Sequence, residues 1–178
     1  MSFLSEGKET ELEFGSLFKN FDFSSKEEDI NEHWDLKISF KYDVKSVKKI
    51  SRNDLYPNEL YHFIEIKNVN GDNGWLYGDA DYFVFETFKY FIIVSKEKLQ
   101  KFISENIIKT YVTTPDKSLY CLYSRENKKD VITMVTSIDL CVISESIKHK
   151  QNTPYILIGE SIIPEKRAKE RLEKLFDK

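Results

Sequence analysis

From Asp35 to Lys45 apolar and polar residues alternate without a break: Leu36, Ile38, Phe40, Tyr42 and Val44 against Asp35, Lys37, Ser39, Lys41, Asp43 and Lys45. A strand sends successive side chains to opposite faces, so this period of two is a strand pattern that no helix can use. The run is long for one strand and predicts a hairpin turning near Ser39, although no Asn-Gly or Gly-Gly marks the turn. A hairpin centred there sets Asp35 across from Asp43, with Cβ atoms ~5 Å apart. Carboxylates that close repel each other unless a proton or a cation lies between them. A hard divalent ion, Mg²⁺ with Mn²⁺ as its substitute, is the natural guest, because it takes carboxylate oxygens and keeps several waters. Lys45 leaves the same face two positions later, where an ammonium orients water or offsets charge building on a phosphate.

Around this segment the pattern is that of one α/β domain. Phe14, Leu17, Phe18 and Phe21 fall at i, i+3, i+4 and i+7, which predicts a helix over 9–21 with Glu11 and Glu13 flanking the stripe. The polar stretch from Ser24 to Asp29 reads as a loop, as does 51–59 with Pro57. Tyr61 to Lys67 is the next strand, followed by an Asn- and Gly-rich stretch to Gly78. Asp81 to Thr87 and Tyr90 to Ser95 have the aromatic and β-branched content of central strands. Ser95 caps a helix over 96–108, and 119–124 with 131–136 form a second hairpin. A charged helix from Pro164 to Lys178 closes the chain.

Length and composition bound the rest. A chain of 178 residues, 40% hydrophobic and with only six Gly and four Pro, is sized for one core without long linkers. Met1 to Thr10 lack the apolar stretch of a signal peptide, and no run is long enough to span a bilayer, so a cytoplasmic location with no membrane partner is expected. Cys121 and Cys141, both in apolar strand-like surroundings, are too few for a disulfide framework or a four-cysteine zinc site. A net charge of −3 excludes a protein that coats nucleic acid by bulk electrostatics. Yet residues 1–35 hold ten acidic side chains against three basic, while 41–52 hold Lys41, Lys45, Lys48, Lys49 and Arg52 against Asp43 alone. A basic strip beside an acidic cluster suits a polyanion held next to a metal; a solvated strand edge carries the same charges.

Asp35 followed by Asp43-Val44-Lys45, on strands after a Glu-bearing helix, resembles the P-D…(D/E)-x-K nuclease superfamily. His33-Trp34-Asp35, Glu65-Ile66-Lys67-Asn68, Gly74-Trp75-Leu76-Tyr77-Gly78 and Ala80-Asp81 extend the resemblance to small phage-encoded nucleases, over about residues 9–108. It implies a restriction-endonuclease-like core of order αβββαβ, a mixed central sheet flanked by helices, with 109–178 as an extension. It also implies Mg²⁺-dependent hydrolysis of phosphodiester bonds. Asp35, Asp43, the Val44 carbonyl and Glu11 or Glu13 would hold the ion, and Lys45 would position the attacking water. Trp34 stands where the family often has Pro, and seven residues between Asp35 and Asp43 is a short spacing. That spacing leaves a rival assignment, in which Asp43 is the first carboxylate and Glu65-Ile66-Lys67 is the E-x-K. The expected partner is nucleic acid, DNA before RNA, with phosphates on Lys41, Lys48, Lys49 and Arg52 and a base on Trp75. A homodimer would suit cleavage of both strands. The alternative from another class is a nuclease-like fold without catalysis that binds nucleic acid or a protein.

Overall fold

The computed structural model describes residues 3–18, 21–37, 40–150, 155–158 and 161–164. In chain order, helix α1 (Phe3–Gly15) leads to strand β1 (Asp22–Phe23), helix α2 (Lys26–Glu32), and strands β2 (Leu36–Lys37), β3 (Lys41–Lys45) and β4 (Tyr61–Lys67). After a 3₁₀ turn at Trp75–Tyr77 come β5 (Tyr82–Glu86), β6 (Tyr90–Ser95), helix α3 (Lys96–Asn106) and β7 (Ile108–Val112). A second 3₁₀ turn, Pro115–Lys117, precedes β8 (Cys121–Tyr123), β9 (Val131–Thr136), helix α4 (Ser137–Ile143), β10 (Ser146–His149), β11 (Tyr155–Ile158) and β12 (Ser161–Pro164). None of the described helices is long and apolar enough to cross a membrane.

The expected hairpin forms. Leu36 pairs with Tyr42 and Lys37 with Lys41; Ile38 and Ser39, where the turn was expected, lie outside the described residues. Strands β2 and β3 sit inside a six-stranded sheet of order β1-β2-β3-β5-β6-β10, in which only β3 and β5 run parallel. A second sheet, β4-β9-β8-β7, is antiparallel except between β7 and β8, and β11 pairs with β12 separately. The fold is therefore a mixed α/β arrangement with two mixed sheets and, among the described residues, four helices.

Both faces of the six-stranded sheet are covered. On one, Phe14 of α1 is fully buried against Leu36, Val84, Phe91 and Ile93, with Leu17, Phe18 and Phe21 packed alongside. On the other, Phe83, Phe85, Ile92 and Val94 meet Ile64 and Val135 of the second sheet, Leu99 and Ile103 of α3, and Leu140 of α4. Two covered faces explain why β5 and β6 read as continuous apolar runs; β3 alternates apolar and charged residues although Asp43 on it is buried as well.

Several expectations change. The helix expected over 9–21 ends at Gly15, where a Cβ would lie 2.7 Å from the Phe21 ring and 2.8 Å from Leu36. The chain turns there, and Leu17, Phe18 and Phe21 reach the same cluster from the turn and the segment beyond it. The stretch read as a loop is helix α2, opened by a capping box in which Ser25 and Glu28 each accept from the other's backbone N–H. The strand at 61–67 forms, but in the second sheet, so β5 rather than β4 lies beside β3. Strands β9 and β10, from the part read as an extension, pair with β4 and β6. Cys141 lies exposed on α4 rather than in a buried strand, and the part of the C-terminal helix expected beyond Pro164 lies outside the described residues.

The Phe14 ring meets Phe18, Tyr42 and Phe91 at centroid distances of 5.3, 5.5 and 5.3 Å, so it joins α1 to β3 and β6. Truncating a fully buried Phe removes its transfer free energy and leaves a cavity, together about 3–5 kcal/mol. Phe14→Ala should lower stability to urea by that amount, measured as the shift in unfolding midpoint at constant slope.

Candidate active site

Asp35 precedes β2, and its carboxylate lies beside the Asp43-Val44 segment of β3, near enough for the Asp35 and Asp43 charges to act on each other. Asp35 N–H donates to the Tyr42 carbonyl at 2.8 Å, and its carboxylate accepts from Val44 N–H at 2.6 Å. Asp43 pairs across β3–β5 with Phe83 and Lys45 with Phe85, which turns both toward the interior between the sheets. Asp43 is only 3% exposed. Its Oδ1 meets Lys45 Nζ at 2.5 Å, and its Oδ2 is buried without a hydrogen-bond partner. The Lys45 ammonium also stands 4.4 Å from the centre of the Trp75 ring.

Burial dominates the electrostatics. It raises the Asp35 carboxyl to about 7, with the Asp43 charge adding to the effect and Lys45 opposing it. Burial also raises Asp43, against the pull of Lys45 and of a hydrogen bond that Asp35 can donate only when protonated. Once Asp35 ionises, Oδ2 of Asp43 has no donor and two carboxylates face each other. A hard cation relieves both conditions.

Beside the pair, a cleft of about 410 Å³ opens between α1 and α2, lined by Lys8, Glu11, Ser24, Asp29 and Asp35 among others. The Glu11 carboxyl is raised by burial and by Asp35 and Asp29, while Lys8, bonded to it at 2.7 Å, lowers it. Of the two helix glutamates, Glu11 is therefore the one beside Asp35. Glu13 instead meets Lys150, a fully buried lysine that also bonds Glu86 at 2.5 Å. Asp29 was missed by the sequence reading. Its signal was the Ser25-x-x-Glu28 capping box, which starts the helix that carries it.

The other candidates separate. Glu65 lies next to Trp75, whose backbone N–H is 3.5 Å from its carboxylate, and it acts electrostatically on Lys48. Lys67 is exposed, and a bulge between Glu65 and Lys67 interrupts the alternation that was to put them on one face. Trp75 is not a free loop aromatic. Its ring packs 4.9 Å from Phe83 and takes Lys45 on its face, which leaves that face closed to a base. Lys41 does not continue the basic strip, because it sits at the other end of β3 and is paired with Glu32 at 2.7 Å. Lys48, Lys49 and Arg52 are exposed beyond that strand.

No family model, curated protein or solved structure matches this chain. Among the described residues, no three His, Cys, Asp or Glu side chains stand close enough together to enclose a metal ion. Asp43 and Glu11 are each turned onto a lysine, Lys45 and Lys8.

The raised carboxyls set a pH dependence. A group whose folded-state pKa lies above its unfolded value binds its proton more tightly when folded, so its contribution is full below the unfolded pKa and lost as pH rises through the folded one. For Asp35 the window runs from the ordinary aspartate value of 3.8 to about 7. The metal-free protein should melt several degrees lower at pH 8 than at pH 5.5. Asp35→Asn should flatten that difference, and Mg²⁺ should restore the melting temperature at pH 8 for the wild type alone; calorimetry across the range checks all three.

Proposed function

We propose that the chain is a Mg²⁺-dependent nuclease of the P-D…(D/E)-x-K kind that hydrolyses phosphodiester bonds of DNA. The observation that carries this reading is the neighbouring pair Asp35 and Asp43, with an orphaned carboxylate oxygen on Asp43 and Lys45 beside it. Oxygen-rich donors of this type fit a hard cation better than a soft one.

Asp35 and Asp43 would hold the ion, with the Val44 carbonyl between Asp43 and Lys45 and with Glu11 reaching in from α1. When bound, the ion supplies Lewis-acid stabilisation of a phosphoryl oxygen and acidifies water. Lys45 is positioned by two contacts, the Asp43 carboxylate and the Trp75 ring, so its ammonium offsets charge growing on a phosphate with little reorganisation. Lys48, Lys49 and Arg52 supply phosphate contacts that carry no base information. What supports a restriction-endonuclease-like core is α1 packed over β2 and β3, with Glu11 and Asp35 lining one cleft.

One observation favours the second reading, a nuclease-like module that binds without cutting: Asp43 and Glu11 are engaged by lysines rather than aimed at one point. A Mg²⁺ titration with duplex DNA separates the two readings. Lys45→Ala should lower cleavage by about 100-fold or more, the usual loss for a charge-stabilising donor. Lys67→Ala should leave the rate intact. The reverse pattern moves the site to Asp43, Glu65 and Lys67, and no cleavage by wild type at any Mg²⁺ or Mn²⁺ concentration favours the binding module.

A further inference from the structure

We propose that Arg125, held side-on by the buried carboxylate of Asp130, binds a backbone phosphate of DNA and extends the Lys45–Lys48 edge of the site onto the second sheet. The choice of DNA rests on the nuclease reading; the contact rests on the geometry below.

Asp130 is fully buried at the turn between β8 and β9. Three donors converge on it: Arg125 Nε, Arg125 backbone N–H at 3.0 Å, and Ser124 Oγ at 3.4 Å. The Nε edge of the guanidinium is thereby fixed, while the side chain remains 46% exposed. An arginine locked along one edge and open at the other presents a planar fork suited to two phosphate oxygens.

Its position relative to the site follows from the register. Glu65 of β4 is opposite Ile132 of β9, Ile132 is opposite Tyr123 of β8, and Arg125 lies two residues further along. Lys48 lies within electrostatic reach of this row, with Lys45, Asp43, Glu65 and Arg125 all acting on its charge. Although the residue as a whole is exposed, desolvation of its ammonium end, with the neighbouring Lys45 and Arg125, pushes that group below the usual lysine range. Lys45 is engaged by Asp43 and Arg125 by Asp130, but Lys48 makes no ion pair among the described residues. Cations from two separate segments thus act on one another with Lys48 unpaired, and a polyanion laid across them relieves the repulsion. The turn itself adds Lys128 and Lys129 against Glu126 alone.

The test is anisotropy of labelled duplex DNA with the full chain in EDTA across a salt series, so that binding is read without cleavage. Arg125→Gln should weaken binding several-fold and reduce the log–log salt slope by about 0.9, one phosphate contact. Arg125→Lys should keep the slope but recover only part of the affinity, because the charge stays and the fork is lost. Lys41→Gln, at the far end of β3, should change neither. An unaltered slope in Arg125→Gln, or no binding by wild type at low salt, overturns the proposal. A wild type that binds through Arg125 yet never cuts DNA upholds this contact while removing the nuclease reading. A wild type that cuts DNA while Arg125→Gln binds with unchanged affinity and slope does the opposite.

Discussion

Strand β3 has protein on both sides, and this leaves Asp43 without water to solvate its charge. On one side Tyr42 and Val44 lie against α1; on the other Asp43 and Lys45 face the layer that holds Trp75, Phe83 and Phe85. A carboxylate in such a place needs a counter-charge, a donor or a proton. Here it has Lys45 on one oxygen, nothing on the other, and a second carboxylate nearby. The strain is electrostatic and local, and the surrounding packing prevents the hairpin from relaxing away from it.

The same packing fixes α1, and so the position of Glu11. Phe14 supplies the apolar contact, and a buried polar network supplies the rest. Lys150 joins Glu13 of α1 to Glu86 of β5, Thr10 Oγ1 donates to Glu86 at 3.2 Å, and Val47 N–H donates to Glu86 at 3.0 Å. A buried network of this kind adds little net stability compared with an apolar replacement, but it tolerates few alternative arrangements. It therefore ties α1, β5 and the loop after β3 into one relation. Glu11 lies between Thr10 and Glu13 in the chain but faces the cleft instead.

How much of this was legible in the sequence varies with the range of the interaction. The hairpin, the apolar stripe of Phe14, Leu17, Phe18 and Phe21, and helix α3 follow from local periodicity, although Ser95 opens α3 without a side-chain cap bond. Helix α2 was legible as well, through Ser25 and Glu28, but its polar composition reads as a loop because none of its residues is buried. The choice of Glu11 over Glu13 was not legible, since it depends on Lys150 meeting Glu13 from far along the chain.

Sequence alone determined the relative facing of residues within the hairpin, because a period of two and a turn centre leave no freedom in who opposes whom. It did not determine what covers each face. Only the tertiary structure decided that the face carrying Asp43 and Lys45 is buried rather than solvated, because that depends on a second sheet built from β4 and three later strands. The same long-range pairing interrupted the Glu65–Lys67 alternation with a bulge, while Lys41 is taken out of the basic strip by Glu32 nearby in the chain. It also brought Arg125 into the electrostatic reach of Lys48. Period and propensity act over a few residues, whereas desolvation depends on which distant segments close over a strand, and it is desolvation that turns these ordinary charges into a site.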